Sequence, residues 1–488
     1  MKHRTWTRRE FGRLCAAASL APRTARTQAG AGGGKLRAGA ATVNITPPLG
    51  CSLAGGMTDR IATDVHDELH VRSLVLDDGE SRIAIALVDS CVVPREIFDR
   101  AKQLIAQPAG IPRERVLLAA THTHSAPPAA HLFQSLPDSK YTEWLPVRIA
   151  DAVRMAANRL RPARIGWGTG REERLVFNRR YFMKPGAIPA DPWGRTTDQV
   201  LMNPPAGSPN IVKAAGPTDP EVGVLAVEGL DGRPICLLGN YALHYVGGTA
   251  PGHISADYFA AWAESIKRLA GAADAREFPP FVPILANGCS GNINGIDFYA
   301  PPPKLAPYEQ MQKYADTLAA ECRRVWQQIR FQGSVKLGGA IEEVELGVRS
   351  PTADDVAAAK KLLDGTPAGA QYKDRSQIYA RETLIMSETF PQRVKTVVQA
   401  LRIGPLAVAA FPGEAFVELG LQVKRESPFR PTLVIELAND YRGYIPTVEG
   451  HDLGGYETWR AKSSYLEKGA VPKLVATALR LLERINHG

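Results

Sequence analysis

Leu69-His70-Val71-Arg72-Ser73-Leu74-Val75-Leu76 alternates, Asp77-Asp78-Gly79 turns, and Ile83-Ala84-Ile85-Ala86-Leu87-Val88 returns as an unbroken apolar run. A period of two that closes on an Asp-Gly turn predicts a β-hairpin with one strand buried on both faces. A second unit of this kind spans Val222 to Val227 and Pro234 to Leu238, joined through Leu230-Asp231-Gly232. Between and beyond these units the periodicity changes to helical at 94–107, 144–160, 257–270, 308–330 and 471–485. Strand and helix signals alternate throughout, so the predicted fold is α/β, a mixed β-sheet core with flanking helices. The stretch 184–220, rich in Pro, Gly, Asn and Asp, is expected to be a long surface excursion of the kind that forms lids or substrate walls.

The 488 residues are 44% hydrophobic and 22% charged, which excludes a collagen, a disordered polymer and a coiled coil. No apolar run approaches the roughly 20 residues of a membrane span. The formal charge is +9, but residues 1–35 carry eight of the basic side chains and one acid, Glu10. The remaining chain is left at about +2, too little for a footprint on phosphates, and nucleic-acid binding is excluded. Thr7-Arg8-Arg9-Glu10-Phe11 before Leu14-Cys15-Ala16-Ala17-Ala18 resembles a twin-arginine export signal, so residues 1–35 are expected to be signal and linker. Residues 36–488 are expected to form a single catalytic domain, exported to the periplasm or secreted. Outside the leader, Cys51, Cys91, Cys236, Cys289 and Cys322 make an odd count without CxxC spacing. That argues against a disulfide framework and a thiolate metal cage, leaving buried thiols or one bridge.

Three loops carry unusual chemistry, and each follows an apolar strand. Val116 to Ala120 runs into Thr121-His122-Thr123-His124-Ser125, where two imidazoles two residues apart face one side if strand geometry persists. Imidazole in a partly dry pocket suits zinc. Leu237-Leu238-Gly239-Asn240-Tyr241-Ala242-Leu243-His244 closes another strand on a histidine, with glycines after it. Leu406 to Ala410 ends in Phe411-Pro412-Gly413-Glu414, expected to open a helix with Glu414 in its first turn, where the helix dipole alone accounts for a carboxylate. His131 is expected to be solvated and His253 to orient a neighbour. Asp89 is a candidate for a second divalent ion, although packing explains it more simply.

Taken in order, His122-Thr123-His124-Ser125, His244, Pro412-Gly413-Glu414, Asn439-Asp440-Tyr441-Arg442-Gly443-Tyr444-Ile445-Pro446-Thr447 and Gly455-Tyr456-Glu457 resemble the neutral/alkaline, non-lysosomal ceramidases over roughly residues 37–470. The resemblance implies a zinc-dependent amidase with one catalytic ion, which cleaves the N-acyl bond of ceramide in that family. It implies His122, His244, Glu414 and Tyr444 as zinc ligands, Tyr456 and Arg179 as donors to the substrate or its oxyanion, and His124 as the group passing a proton to the departing amine. Zinc suits this chemistry because it lowers the pKa of bound water from 15.7 toward about 7 and polarises a carbonyl.

Two departures from the family stand out. Its Gly-Asp-Val-Ser-Pro-Asn segment is Gly291-Asn292-Ile293-Asn294-Gly295 here, so Asn294 stands at the serine position; the nearby Ser290 is off register, and its glycine-flanked context fits a plain turn about as well. The family's C-terminal immunoglobulin-like domain, about 100 residues, is not expected. The substrate is therefore expected to be a small-molecule N-acyl amine, either sphingolipid-like or an acylated amino sugar. A zinc carbohydrate deacylase or esterase and a non-catalytic exported binding protein remain as alternatives.

Overall fold

The computed structural model describes residues 36–273, 278–367 and 369–487; the predicted leader lies outside them. Strands His70–Asp77 and Arg82–Val88 form the expected hairpin, antiparallel, with Val71 opposite Val88 and Asp77 opposite Arg82. Alternation sorts their side chains: Val71, Val75, Ala84 and Ala86 join one cluster, while Leu74, Leu76, Ile83 and Ile85 join another. The second hairpin is Glu221–Gly229 with Pro234–Tyr241, with a register shift between Val227 and Glu228. Both belong to an eight-stranded mixed sheet, in the order 282–287, 234–241, 221–229, 161–171, 37–44, 70–77, 82–88 and 116–120.

A four-stranded sheet, Leu337–Gly347, Arg393–Ile403, Leu406–Ala410 and Thr432–Ile435, faces the large one. Leu401, Leu406, Val408 and Leu433 share a single core with Leu76, Ile85, Leu225 and Ile284. Helices cover the outer faces: Arg95–Ala109 and Ser139–Asn158 over one cluster, Asp257–Ala270 and Glu309–Trp326 over a second, and Val417–Glu426 and Ala470–His487 over a third. This is the mixed α/β architecture the periodicity predicts, and no separate β-sandwich stands among the described residues. Helix Arg375–Thr389 is additional to the predicted set; its buried side chains include Glu382 and Thr383 beside Ile378 and Tyr379, so no clean apolar stripe marks it.

In these two sheets three parallel strand pairs interrupt the antiparallel pattern, and each is a strand–helix–strand crossover. Arg82–Val88 and Val116–Ala120 flank helix Arg95–Ala109; Pro234–Tyr241 and Val282–Asn287 flank Asp257–Ala270; Leu406–Ala410 and Thr432–Ile435 flank Val417–Glu426. Loops at the carboxyl ends of such strands are where α/β proteins build sites. Here those loops carry Cys91, His122, His244, Ser290, Glu414 and Asn439–Tyr444. The predicted excursion around 184–220 contains a small sheet of Arg180–Met183, Val200–Met202 and Ile211–Ala214, and its residues wall the cavity described next. No helix among the described residues is long and apolar enough to cross a membrane.

Candidate metal centre

Four side chains from three of these loops converge. His122 Nε2 lies 3.1 Å from His244 Nε2, 3.2 Å from His124 Nε2 and 3.3 Å from Glu414 Oε2, and His244 Nε2 is 3.8 Å from the same carboxylate oxygen. The two histidines 122 and 124 meet for a reason different from the predicted one. The strand ends at Ala120, and His122 takes a left-handed backbone, φ 77°, a conformation that costs a non-glycine residue about 1–3 kcal/mol and gathers at functional sites. Its amide is held by the Ser90 carbonyl at 2.9 Å. Gly55 makes room for the second ring, since a Cβ there would lie 2.4 Å from His124 Cγ.

Glu414 is not in a helical first turn. Glu414–Ala415 forms a two-residue parallel bridge with Tyr444–Ile445, Glu414 opposite Tyr444, and the helix starts only at Val417. The Pro412-Gly413 break lets the chain come so close that a Cβ on Gly413 would meet the Gly443 carbonyl at 2.4 Å. Backbone pairing therefore sets the carboxylate beside Tyr444, and the Tyr441 hydroxyl donates to Glu414 Oε1 at 3.1 Å.

The donor set fits a cation. His122 Nδ1 donates to the Cys91 carbonyl at 2.7 Å and His244 Nδ1 to the Ser290 carbonyl at 3.1 Å, which leaves both Nε2 lone pairs aimed at the same point. Glu414 Oε2, buried and facing those lone pairs, has no hydrogen-bond partner. Nitrogen lone pairs about 3 Å apart beside an orphaned carboxylate oxygen repel unless a proton or a cation lies between them. Burial, followed by His122 and Arg179, pushes His244 well below its ordinary range, which keeps it in the neutral form a metal requires. Cys91, His122 and His124 form a second group of metal-ligating type, but the Nδ1 of His122 is already committed to the Cys91 carbonyl.

Arg179 reaches the cluster from the segment just before the excursion, between Phe177–Asn178 and Arg180–Met183. Its Nη1 is 3.4 Å from His244 Nε2, its guanidinium lies over the Tyr444 ring at 5.4 Å, and Nη2 is buried with no partner. Glu457, fully buried, holds it: Arg179 Nε donates to Oε1 at 2.9 Å, and Arg180 Nε lies 3.4 Å from Oε2. Tyr456 and Tyr444 stand edge to face with centroids 5.7 Å apart. Tyr245 stacks on His124 at 3.6 Å. Asn294 is set back: its amide donates to Asn203 Oδ1 at 2.8 Å, and it is Asn203 that lines the cavity.

Sequence reasoning gave no role to Glu457, Tyr441 or Tyr245, although each sits within or beside a quoted motif; what identifies them is a partner tens to hundreds of residues away. Ser290 opens a turn, its carbonyl accepting from Ile293 N at 2.9 Å, and its side chain does more. Its hydroxyl donates to Glu436 Oε1 at 2.6 Å, and Ala415 N donates to Glu436 Oε2 at 2.8 Å, so one buried carboxyl, pushed up to about 8 by burial, ties the loop of Ser290, whose carbonyl holds His244, to the loop of Glu414. Asp89 serves packing, since Arg72 Nη1 donates to it at 2.5 Å. His131 is exposed, and His253 Nδ1 is 2.6 Å from the Tyr308 hydroxyl. Cys51, Cys91, Cys236, Cys289 and Cys322 are all free thiols.

Two cavities, the two arms of the site, lie against this cluster, and Gly55, Met57, His124, Tyr444 and Tyr456 line both. The larger, about 240 Å³, runs past Arg179, His244 and Asn203; the smaller, about 100 Å³, runs past Cys91, Glu414 and Phe133.

No family model and no curated protein matches the sequence. Among solved structures, the fold is similar to neutral ceramidase from Pseudomonas aeruginosa, with a TM-score of 0.69 and 18% identity over 93% of this chain and 74% of that one. It is equally similar to a ceramidase complexed with C2, with a TM-score of 0.69 and 17% identity over 93% and 75% of the two chains. The chain therefore has the neutral ceramidase fold.

Proposed function

We propose that this protein is a zinc-dependent hydrolase of ceramidase type that cleaves N-acyl amide bonds in small-molecule substrates and acts after export, in the periplasm or outside the cell. The observation that carries this reading is the pair of Nε2 lone pairs converging on the partnerless Glu414 Oε2. His122, His244 and Glu414 would hold the ion, with Tyr444 beside Glu414 as the fourth ligand. When bound, zinc supplies a Lewis acid and a source of hydroxide at neutral pH. Protein groups do the rest. Arg179, with its partnerless Nη2, and Tyr456 line the cavity and would be the donors for the oxygen that gains charge when an amide carbon is attacked. His124, clamped by Tyr245 and by the Arg60 bond to its carbonyl, is placed to pass a proton to the departing nitrogen. Asn294 acts at one remove by fixing Asn203.

The same attack cleaves esters, so a substrate panel is the test. Purified mature protein should hydrolyse N-acyl amines, lose that turnover with a chelator and regain it with zinc. A folded protein that turns over acyl esters but no amide, or whose turnover is indifferent to chelation, would refute the reading.

A further inference from the structure

The two arms of the site differ in size and chemistry, and an amide hydrolase must place the acyl half and the amine half of its substrate on opposite sides of the reacting carbon. We infer, on the footing of the function just proposed, that the smaller arm is the acyl site and admits only short chains, with Leu132 and Phe133 as the residues that set the limit.

The larger arm offers Arg179, Asp198, Asn203 and Arg375, hydrogen-bonding groups suited to an amine half that becomes a free polar product. Beyond the reacting groups, the smaller arm presents Met57, Cys91, Leu132 and Phe133, an apolar lining suited to hydrocarbon. Its volume of about 100 Å³, which also takes in the space beside His122, Glu414 and Tyr444, falls below the roughly 150 Å³ of a cavity that holds benzene, six carbons, so it seats at most about four.

The wall is braced against moving. Leu132 and Ser135 exchange backbone hydrogen bonds at 3.2 and 3.0 Å, and Ser135 Oγ donates to the Leu53 carbonyl at 3.1 Å. Gln134, 2% exposed, donates to the Met57 and Tyr372 carbonyls at 3.0 and 2.8 Å. Phe133 is held in the left-handed region, φ 47°; its carbonyl accepts from Arg381 at 2.8 Å and its ring meets Tyr379 edge to face at 6.0 Å. A strained residue fixed from several sides is the mark of a ligand clamp. Chains longer than the arm must displace that wall, and close-packed walls resist displacement.

The test is the acyl-chain profile of kcat/KM on amides of one amine, from acetyl to palmitoyl, with binding of free butyrate and octanoate measured by calorimetry as a readout apart from turnover. Activity should rise about fourfold per methylene up to about four carbons and then fall, with octanoyl at least tenfold below butyryl. Leu132→Ala and Phe133→Ala should each raise the octanoyl-to-butyryl ratio at least tenfold and admit octanoate, whereas Leu201→Ala in the larger arm should leave the ratio unmoved. Half-buried Leu132 keeps the test open should Phe133→Ala fail to fold. Palmitoyl amides cleaved as fast as butyryl ones, or a ratio unmoved by either wall variant, would overturn the assignment while leaving the amidase reading intact. A folded, zinc-loaded protein that cleaves no amide of any length would overturn both.

Discussion

Lys102 lies in helix Arg95–Ala109, 2% exposed, and its ammonium donates to an amide oxygen, Asn439 Oδ1 at 2.7 Å, where a carboxylate would be expected. Burial pushes the group down from 10.5 to about 7 against the pull of Asp99. At about 1.4 kcal/mol per pH unit, the folded protein opposes the charged form by about 5 kcal/mol. The sign follows: the unfolded chain takes up the proton near 10.5 and the folded chain only near 7, so stability present above 10.5 is lost as the pH falls to 7 and is level below it. Lys102→Met keeps the apolar stem and removes the charge. After subtraction of about 1 kcal/mol for the lost hydrogen bond, the variant should be about 2–4 kcal/mol more stable than the parent at pH 7. Urea denaturation at pH 7, 8, 9 and 10 measures this, and the difference between the two proteins should shrink steadily as the pH rises. Activity should move the other way. Asn439 sits at φ 62° in the loop that carries Tyr441 onto Glu414, and losing the Lys102 bond leaves its side chain held only from Gln399 at 2.8 Å and Leu118 N at 3.4 Å, a loosening that should lower kcat several-fold. A Lys102→Met protein that is less stable at pH 7, or a difference that does not change with pH, would refute the reasoning.

Glu457→Ala should leave two buried guanidiniums, Arg179 and Arg180, without their carboxylate, costing about 3–5 kcal/mol in denaturation experiments; Glu457→Gln should restore much of the stability but little of kcat/KM, because Arg179 would no longer be held by a charge. Tyr441→Phe removes the bond to Glu414 Oε1 and should weaken zinc affinity about 10- to 100-fold in a chelator competition, with unfolding barely changed.

The parts of the fold that follow a local period were legible in the sequence. The hairpin of His70–Asp77 and Arg82–Val88 and the helices 95–109 and 257–270 all announce themselves through side chains two or three to four residues apart. The ends of the apolar strands also pointed to His122, His244 and Glu414, since a polar residue closing a buried run has to do something with its polarity. What the sequence hides is how the backbone delivers them. The left-handed turn at His122 and the bridge between Glu414 and Tyr444 depend on Ser90 and Gly443, contacts with no local signature. Glu457 was quoted beside Tyr456 yet unassigned, because its meaning lies in Arg179, 278 positions away. The turn at Ser290 is legible in its glycine-flanked context, but the use of its hydroxyl is not, because Glu436 stands in an apolar strand end that carries no motif.

Metal content, measured together with stability, tests the central claim most directly. The mature protein, purified without added metal and dialysed, should carry one zinc per chain by elemental analysis, and zinc should raise its unfolding midpoint. His244→Ala and Glu414→Gln should fold, retain less than a tenth of that zinc and lose the zinc-dependent rise. Full zinc retention in both variants, or a wild-type chain that folds and hydrolyses amides with no metal at all, would contradict the account.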